Sequence, residues 1–286
     1  MITRADDLMP FHPSRKDPGS LASAARAIVA NPDPAEKVRL AYGTAQKWFS
    51  RGLSIRQEMS EIQMPDRPGR PEKPVLKAAR DMPKRAIGGR SGKIALLHSL
   101  AHIELNAVDL TWDLIGRFAA EVLPRSYYDD WVQVGLEEAK HFSMLDAHLR
   151  DNNAHYGDLP AHDGLWQAAQ DTGHSLIARL AIIPLVLEAR GLDITPSMIQ
   201  KAESLGDFAT AKILNRIYTD EKRHVAFGAK WFRFLCDKNK LRPDTTFQHL
   251  VRTHFKGPLK PPFNDRARSE AGLTPGFYRP LVRLLG

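Results

Sequence analysis

The sequence predicts an all-α fold in which four long helices form a bundle, with an extension at each end. Between about residues 91 and 237, four long segments repeat their apolar residues at helical spacing, and no run of alternating β-branched residues reads as a strand. Prolines and glycine-bearing turns separate these segments at intervals that suit short connections between neighbouring helices. At 286 residues, with 43% hydrophobic and 26% charged composition, the chain is long enough for one large domain with extensions. The expected organisation is an N-terminal extension over 1–90, the helical unit over 91–237 and a basic C-terminal extension over 238–286.

In the N-terminal extension, "NPDPAEKVRLAYGTAQKWF" reads as a helix with Asp33 as N-cap, Pro34 at the first position and Glu36 at the third, ending near Gly52. The stretch Gln63 to Leu76, "QMPDRPGRPEKPVL", has four prolines and is expected to run extended as a strap. The four bundle helices are expected over 91–121, 125–153, 163–192 and 197–237. Pro124 parts the first two, and "NNAHYGDLPAHDG" parts the second from the third. "GLDITPS" parts the last two, with Thr195 as N-cap and Pro196 at the first position. Pro184 lies inside the third helix, where it removes the donor for the Leu180 carbonyl and predicts a kink. The last fifty residues return to irregular composition and end in a short basic tail; they either pack over the bundle or reach a neighbouring subunit.

Charge is unevenly distributed. The formal +8 divides into +8 over 1–93, −6 over 94–236 and +6 over 237–286. Basic flanks of this kind suit an RNA or phosphate partner, or else they neutralise an acidic middle. One cysteine, Cys236, rules out an internal disulfide framework, and no apolar leader follows the N-terminus. The longest apolar runs, such as "LAIIPLVL", fall well short of the roughly 20 residues a bilayer needs, so a cytoplasmic protein without membrane contact is expected.

Each bundle helix carries a carboxylate on the seam where leucine belongs. Steps of three and four from Ile94 pass through Leu97 and Ala101 to Glu104, then on to Val108. The same stepping places Glu138 and His141 between Val134 and Leu145, Glu188 after Pro184, and Glu221 and His224 between Ile217 and Gly228. Buried unpaired carboxylates are costly, and four in one core need a shared partner. Two divalent cations neutralise four carboxylates, and neutral imidazoles complete the ligand set without adding charge. Residues i and i+3 share a helix face, so Glu138 with His141 and Glu221 with His224 can each grip one site. The halves repeat: 34 residues separate Glu104 from Glu138 and 33 separate Glu188 from Glu221, and "EEAKH" echoes "DEKRH". By chance alone about half of one E-x-x-H pair is expected at this composition, so the six-residue pattern carries the inference and the single pair does not.

Glu137 and Asp220, one residue before each ligand glutamate, project about 100° around the helix toward the other pair's histidine. Asp109 and Asp193, five residues past Glu104 and Glu188, are further candidates to support the histidines. Lys222 and Arg223 read as the outward half of a surface helix, while Trp131, Trp231, Phe142 and Phe227 either wall a dry pocket or serve as core. Oxygen and imidazole ligands without thiolate favour iron or manganese over zinc.

This constellation resembles the ferritin-like carboxylate-bridged di-iron superfamily, whose pattern of Glu, Glu-x-x-His, Glu, Glu-x-x-His falls here on Glu104, Glu138, His141, Glu188, Glu221 and His224. "KIALLHSLAHIELNAVDL", "EARGLD", the proline-rich strap and "PPFNDRARSEAGL" resemble an uncharacterised bacterial family, domain of unknown function 455, over about residues 40 to 280. More distantly the chain is similar to tRNA-modifying di-iron hydroxylases. The resemblance implies two iron ions, manganese or a mixed pair being the variants. It also implies dioxygen as co-substrate and hydroxylation or oxidation of a small or nucleoside-containing substrate. The competing expectations are an iron-oxidising metal-handling protein and a helical scaffold with structural metals.

Overall fold

Helices account for most of the described residues, which in the computed structural model are 19–56, 63–78, 81–82, 89–256 and 259–282. The start of the N-terminal extension and the basic tail lie outside them. The fold is all-α; among the described residues the sheet content is a two-residue parallel pair, β1 (Leu76–Lys77) beside β2 (Ala161–His162). No helix among them is long and apolar enough to cross a membrane.

The N-terminal extension supplies α1 (Leu21–Ala30) and α2 (Pro34–Phe49). Ser20 Oγ accepts from Ser23 N at 3.2 Å to cap α1. Asp33 Oδ1 accepts from Ala35 N at 2.9 Å to cap α2, and Pro34 fills a position where no backbone donor is needed. α1 packs on α3 (Gly89–Arg117) and α2 on α4 (Arg125–Asp151). The proline-rich stretch crosses these helices as a strap: the Asp66 carbonyl accepts from Trp166 Nε1 at 2.9 Å and the Pro65 carbonyl from Arg117 at 3.0 Å. At Gly69 the strap meets the end of α1 so closely that a Cβ would fall 2.3 Å from the Ala30 carbonyl oxygen, and only glycine fits.

α3 and α4 form one packed pair, and a second is built from the next two expected segments with different boundaries. The single helix expected over 163–192 is broken. α5 (Gly164–Asp171) stops, α6 (Leu176–Ile182) restarts from Ser175, a π-helical turn spans Ile183–Glu188, and α7 (Ala189–Ser204) continues. The break is held by Arg179, whose buried guanidinium donates to the Ala169 carbonyl at 2.7 Å, to Thr172 Oγ1 at 3.0 Å and to Asp113 Oδ2 at 2.6 Å. A helix-end carbonyl, which also accepts from Thr172 N at 3.3 Å, thereby gains a donor from the following helix. The kink expected at Pro184 takes the form of the π turn, because proline cannot donate to Leu180 and the ladder widens around it.

The boundary expected at "GLDITPS" is also corrected. α7 runs through Pro196, and the chain turns at Gly206, φ +73°, before α8 (Phe208–Lys238), which Asp207 caps through Thr210 N at 3.2 Å. Pro196 is tolerated because the carbonyl it leaves without a donor, that of Leu192, accepts from Asn264 Nδ2 at 3.2 Å. α8 packs against α4, joining the two pairs, and against the π turn; a Cβ on Gly228 would fall 2.5 Å from Pro184 Cβ. α9 (Pro243–His254) lies on α6 and α8, α10 (Asp265–Glu270) on α7 and α8, and α11 (Pro275–Tyr278) on α9. The C-terminal extension therefore packs over its own chain.

Candidate metal centre

α4 and α8 bring their Glu-x-x-His faces together in the interior. His141 and His224 are fully buried, with ring centroids 5.9 Å apart, and Glu138 lies between them. Glu138 Oε2 is 3.4 Å from His141 Nδ1 and its Oε1 is 3.0 Å from His224 Nδ1, so one carboxylate faces both imidazoles. α3 adds Glu104, whose Oε2 is 3.3 Å from His141 Nδ1. Glu221 Oε1 lies 3.5 Å from His224 Nδ1. Ligand atoms of Glu104, Glu138, His141 and Glu221 all fall within 4.8 Å of one another. Glu188, the last residue of the π turn, stands outside that group, yet its carboxyl is buried and feels the charges of Glu221 and Glu138.

The outward nitrogens are braced reciprocally across the two helices. His141 Nε2 is 3.1 Å from Asp220 Oδ2, and His224 Nε2 is 2.9 Å from Glu137 Oε2, so each residue preceding a glutamate holds the other helix's histidine. Carboxylates accept, so the Nε2 atoms donate, and in the neutral ring that leaves the Nδ1 lone pairs aimed inward. Gln133 donates to Glu137 Oε1 at 2.6 Å and Arg216 to Asp220 Oδ2 at 2.6 Å. Arg223 donates both to Glu137 and to Asp220 Oδ1. Arg223 is exposed on the outward side as expected, and its guanidinium also ties the two braces together.

Seven buried atoms of the six residues have no hydrogen-bond partner: Glu104 Oε2, both oxygens of Glu138, Glu188 Oε2, Glu221 Oε2 and the two Nδ1 atoms. Their mutual approaches of 3.0–3.5 Å lack hydrogen-bond geometry. Buried polar atoms left this way are costly unless something else satisfies them, and this donor set of four carboxylates and two imidazoles fits hard or intermediate divalent cations.

Without a cation, protons share the burden. Burial pushes the Glu104 carboxyl up to about 8, with Glu138 adding to it, and raises Glu188 and Glu221 as well. Burial opposes charge on His141 and His224, but the surrounding carboxylates outweigh it and raise both. Glu138 goes the other way: burial would raise it, and the two imidazolium neighbours hold it below the usual carboxylate range.

Asp109 and Asp193 do not reach the histidines. Asp109 Oδ1 takes Lys37 Nζ from α2 at 2.5 Å and its Oδ2 takes Arg70 from the strap at 2.5 Å. Asp193 takes Arg268 from α10 through two bonds of 2.8 and 2.7 Å, and the backbone N–H of Asn264 at 2.9 Å. Each repeated aspartate therefore anchors an extension. Sequence reasoning missed Gln133 and Arg216, which braces alone imply only through their i, i+4 spacing to Glu137 and Asp220.

A cavity of about 700 Å³ opens on the side of the cluster away from the histidines. Glu104, Glu188 and Glu221 line it, together with Leu100, Leu110, Ile183, Leu187, Leu214 and Ile217. Trp131, Trp231, Phe142 and Phe227 do not; Trp131 and Trp231 pack as core around Tyr127, with ring centroids 6.3 and 5.3 Å from it.

No solved structure matches the chain. An uncharacterized protein of Haemophilus influenzae is 42% identical over 213 residues, spanning 71% of this chain and 73% of that relative. Residues 30–279 match a family described as protein of unknown function, DUF455, a span that includes α2 through α11 and all six buried ligand candidates, and the chain belongs to that family.

Proposed function

We propose that the chain is a ferritin-like four-helix-bundle protein that binds two iron ions, or manganese or a mixed pair, through Glu104, Glu138, His141, Glu188, Glu221 and His224. In this reading it is an oxygen-dependent cytoplasmic hydroxylase or oxidase of a small or nucleoside-containing substrate. The observation that carries the reading is the convergence of seven unpartnered buried ligand atoms from these six residues. Glu138, with one oxygen toward each imidazole, Glu104 and Glu221 would hold the ions together with the two histidines, and Glu188, on the π turn beside the cavity, would add a fourth carboxylate. Asp220 and Glu137 hold the imidazole tautomers, and the carboxylate face looks into a cavity with mostly apolar walls. A bound redox pair would supply dioxygen activation there, the overall hydroxylation being one oxygen atom into a substrate C–H bond and the other released as water, with two electrons from an external donor and two protons.

Anaerobic loading with ferrous ion followed by metal analysis tests the site, with about two ions per chain expected. Mixing that protein with dioxygen in a stopped-flow spectrometer tests the chemistry: a transient visible absorbance is expected. Stoichiometric binding with no optical change would favour structural metal, and no bound metal would remove the reading altogether.

A further inference from the structure

The cavity's walls carry more information than its position. Its volume of about 700 Å³ lies within the range of small-molecule sites. Beyond the three carboxylates of its floor, the lining side chains with polar atoms are Ser99, His102, His162, Arg190 and Thr195, a minority of the wall, and several are already engaged. Ser99 Oγ donates to the Ala95 carbonyl at 2.8 Å. His102 faces the Tyr156 hydroxyl at 2.9 Å through Nδ1 and the His162 carbonyl at 3.1 Å through Nε2. Arg190, the lining cation among the described residues, donates through Nη1 to the carbonyls of Lys260 and Pro262 at 2.8 and 3.0 Å and to Asp193 at 3.3 Å. The rim is apolar too: Ile103 and Ile194 line the cavity and are 44% and 38% exposed.

Among the described residues a phosphate inside would meet three carboxylates and one lining cation, Arg190, whose Nη1 already serves two carbonyls and Asp193, and a polar nucleobase edge would exchange its water for walls that are mostly hydrocarbon. A hydrocarbon segment forfeits nothing on entry and gains the contact of the walls. We infer that the part of the substrate entering this cavity is an uncharged hydrocarbon chain, which reaches the Glu104, Glu188 and Glu221 face of the centre with any polar portion left at the Ile103 and Ile194 rim. Ala107 and Met198, small or flexible on the wall, set how much chain is admitted. The inference rests on the proposed metal centre only for what happens at the floor; binding itself needs no metal.

The test uses the metal-free full-length protein and the uncharged fluorescent probe N-phenyl-1-naphthylamine, displaced by dodecanol or by adenosine, with metal uptake measured separately. Saturable probe binding is expected, with dodecanol displacing the probe and adenosine leaving it in place. Ala107→Trp and Met198→Trp should each weaken the probe by about tenfold or more by filling the cavity, while Val122→Trp, at an exposed position, leaves it unchanged. Thermal melting identifies a variant that fails to fold, and the displacement panel on the unaltered protein decides the matter without it. No saturable binding, displacement by adenosine in preference to dodecanol, or indifference of the probe to both folded tryptophan variants would each overturn the inference. Two ions bound with no hydrocarbon binding overturns this inference alone; probe binding with no metal overturns the metal centre alone.

Discussion

Asp220 and Glu137 touch no ligand glutamate of their own helix, yet they decide which nitrogen of each histidine faces the centre. Removing their negative charge should therefore act on the metal and spare the helices. Asp220→Asn and Glu137→Gln are expected to weaken metal binding about 10–100-fold in chelator competition, the usual effect of losing such a partner. Unchanged affinity in both would show the braces to be ornamental. His141→Ala or Glu221→Ala removes a ligand outright, and metal content should fall below two per chain while far-ultraviolet circular dichroism keeps its helical amplitude. The same residues set a pH dependence. In the metal-free cluster the carboxyls of Glu104, at about 8, Glu188 and Glu221 are raised, as are both imidazoles, so near neutral pH the cluster retains protons that a cation must displace. Affinity should rise from pH 6 to pH 8, with proton release on binding measured in weakly buffered solution; an affinity flat over that interval would contradict the assignment.

The π turn and α8 meet where Gly228 faces Pro184, and the proline ring has no room to yield. Gly228→Ala is expected to cost about 1–3 kcal/mol by overpacking and to shift the turn that ends at Glu188, so metal affinity should drop together with the denaturant midpoint. The extensions are fixed by a different device, the repeated aspartates. Asp193→Asn leaves Arg268 buried and 4% exposed without its carboxylate, a change expected to destabilise by about 3–5 kcal/mol in urea titration. The six ligand candidates were legible because stepping by three and four along a helix puts them where the core must be, twice over. The broken third segment and the uninterrupted passage through Pro196 were not legible. Their helix-end and proline-orphaned carbonyls are satisfied by Arg179 and Asn264, and nothing local in "GLDITPS" reveals a donor arriving from 72 residues away. Asp109 and Asp193 were misjudged for the same reason, since their partners lie on the strap and on α10.

At the scale of the molecule, the charge partition of +8, −6 and +6 finds much of its resolution inside the chain. Lys37, Arg70 and Arg268 from the flanks are spent on Asp109 and Asp193, and three exposed flank cations follow suit: Arg51 on Asp129 at 3.6 Å, Arg67 on Asp163 at 2.7 Å and Lys256 on Asp171 at 3.5 Å. The exposed pairs add little stability, but each one withdraws a cation from any outside partner. A flank that served as a nucleic-acid surface would instead hold its cations free and release counterions on binding, giving a steep fall of affinity with salt. The expected result is weak binding of single-stranded RNA at low salt, with a slope of log affinity against log salt no steeper than about −2, equivalent to about three phosphates neutralised. A slope several times steeper would mean that the flanks carry an organised phosphate surface, and that pairing with the acidic middle is not what their charge is for.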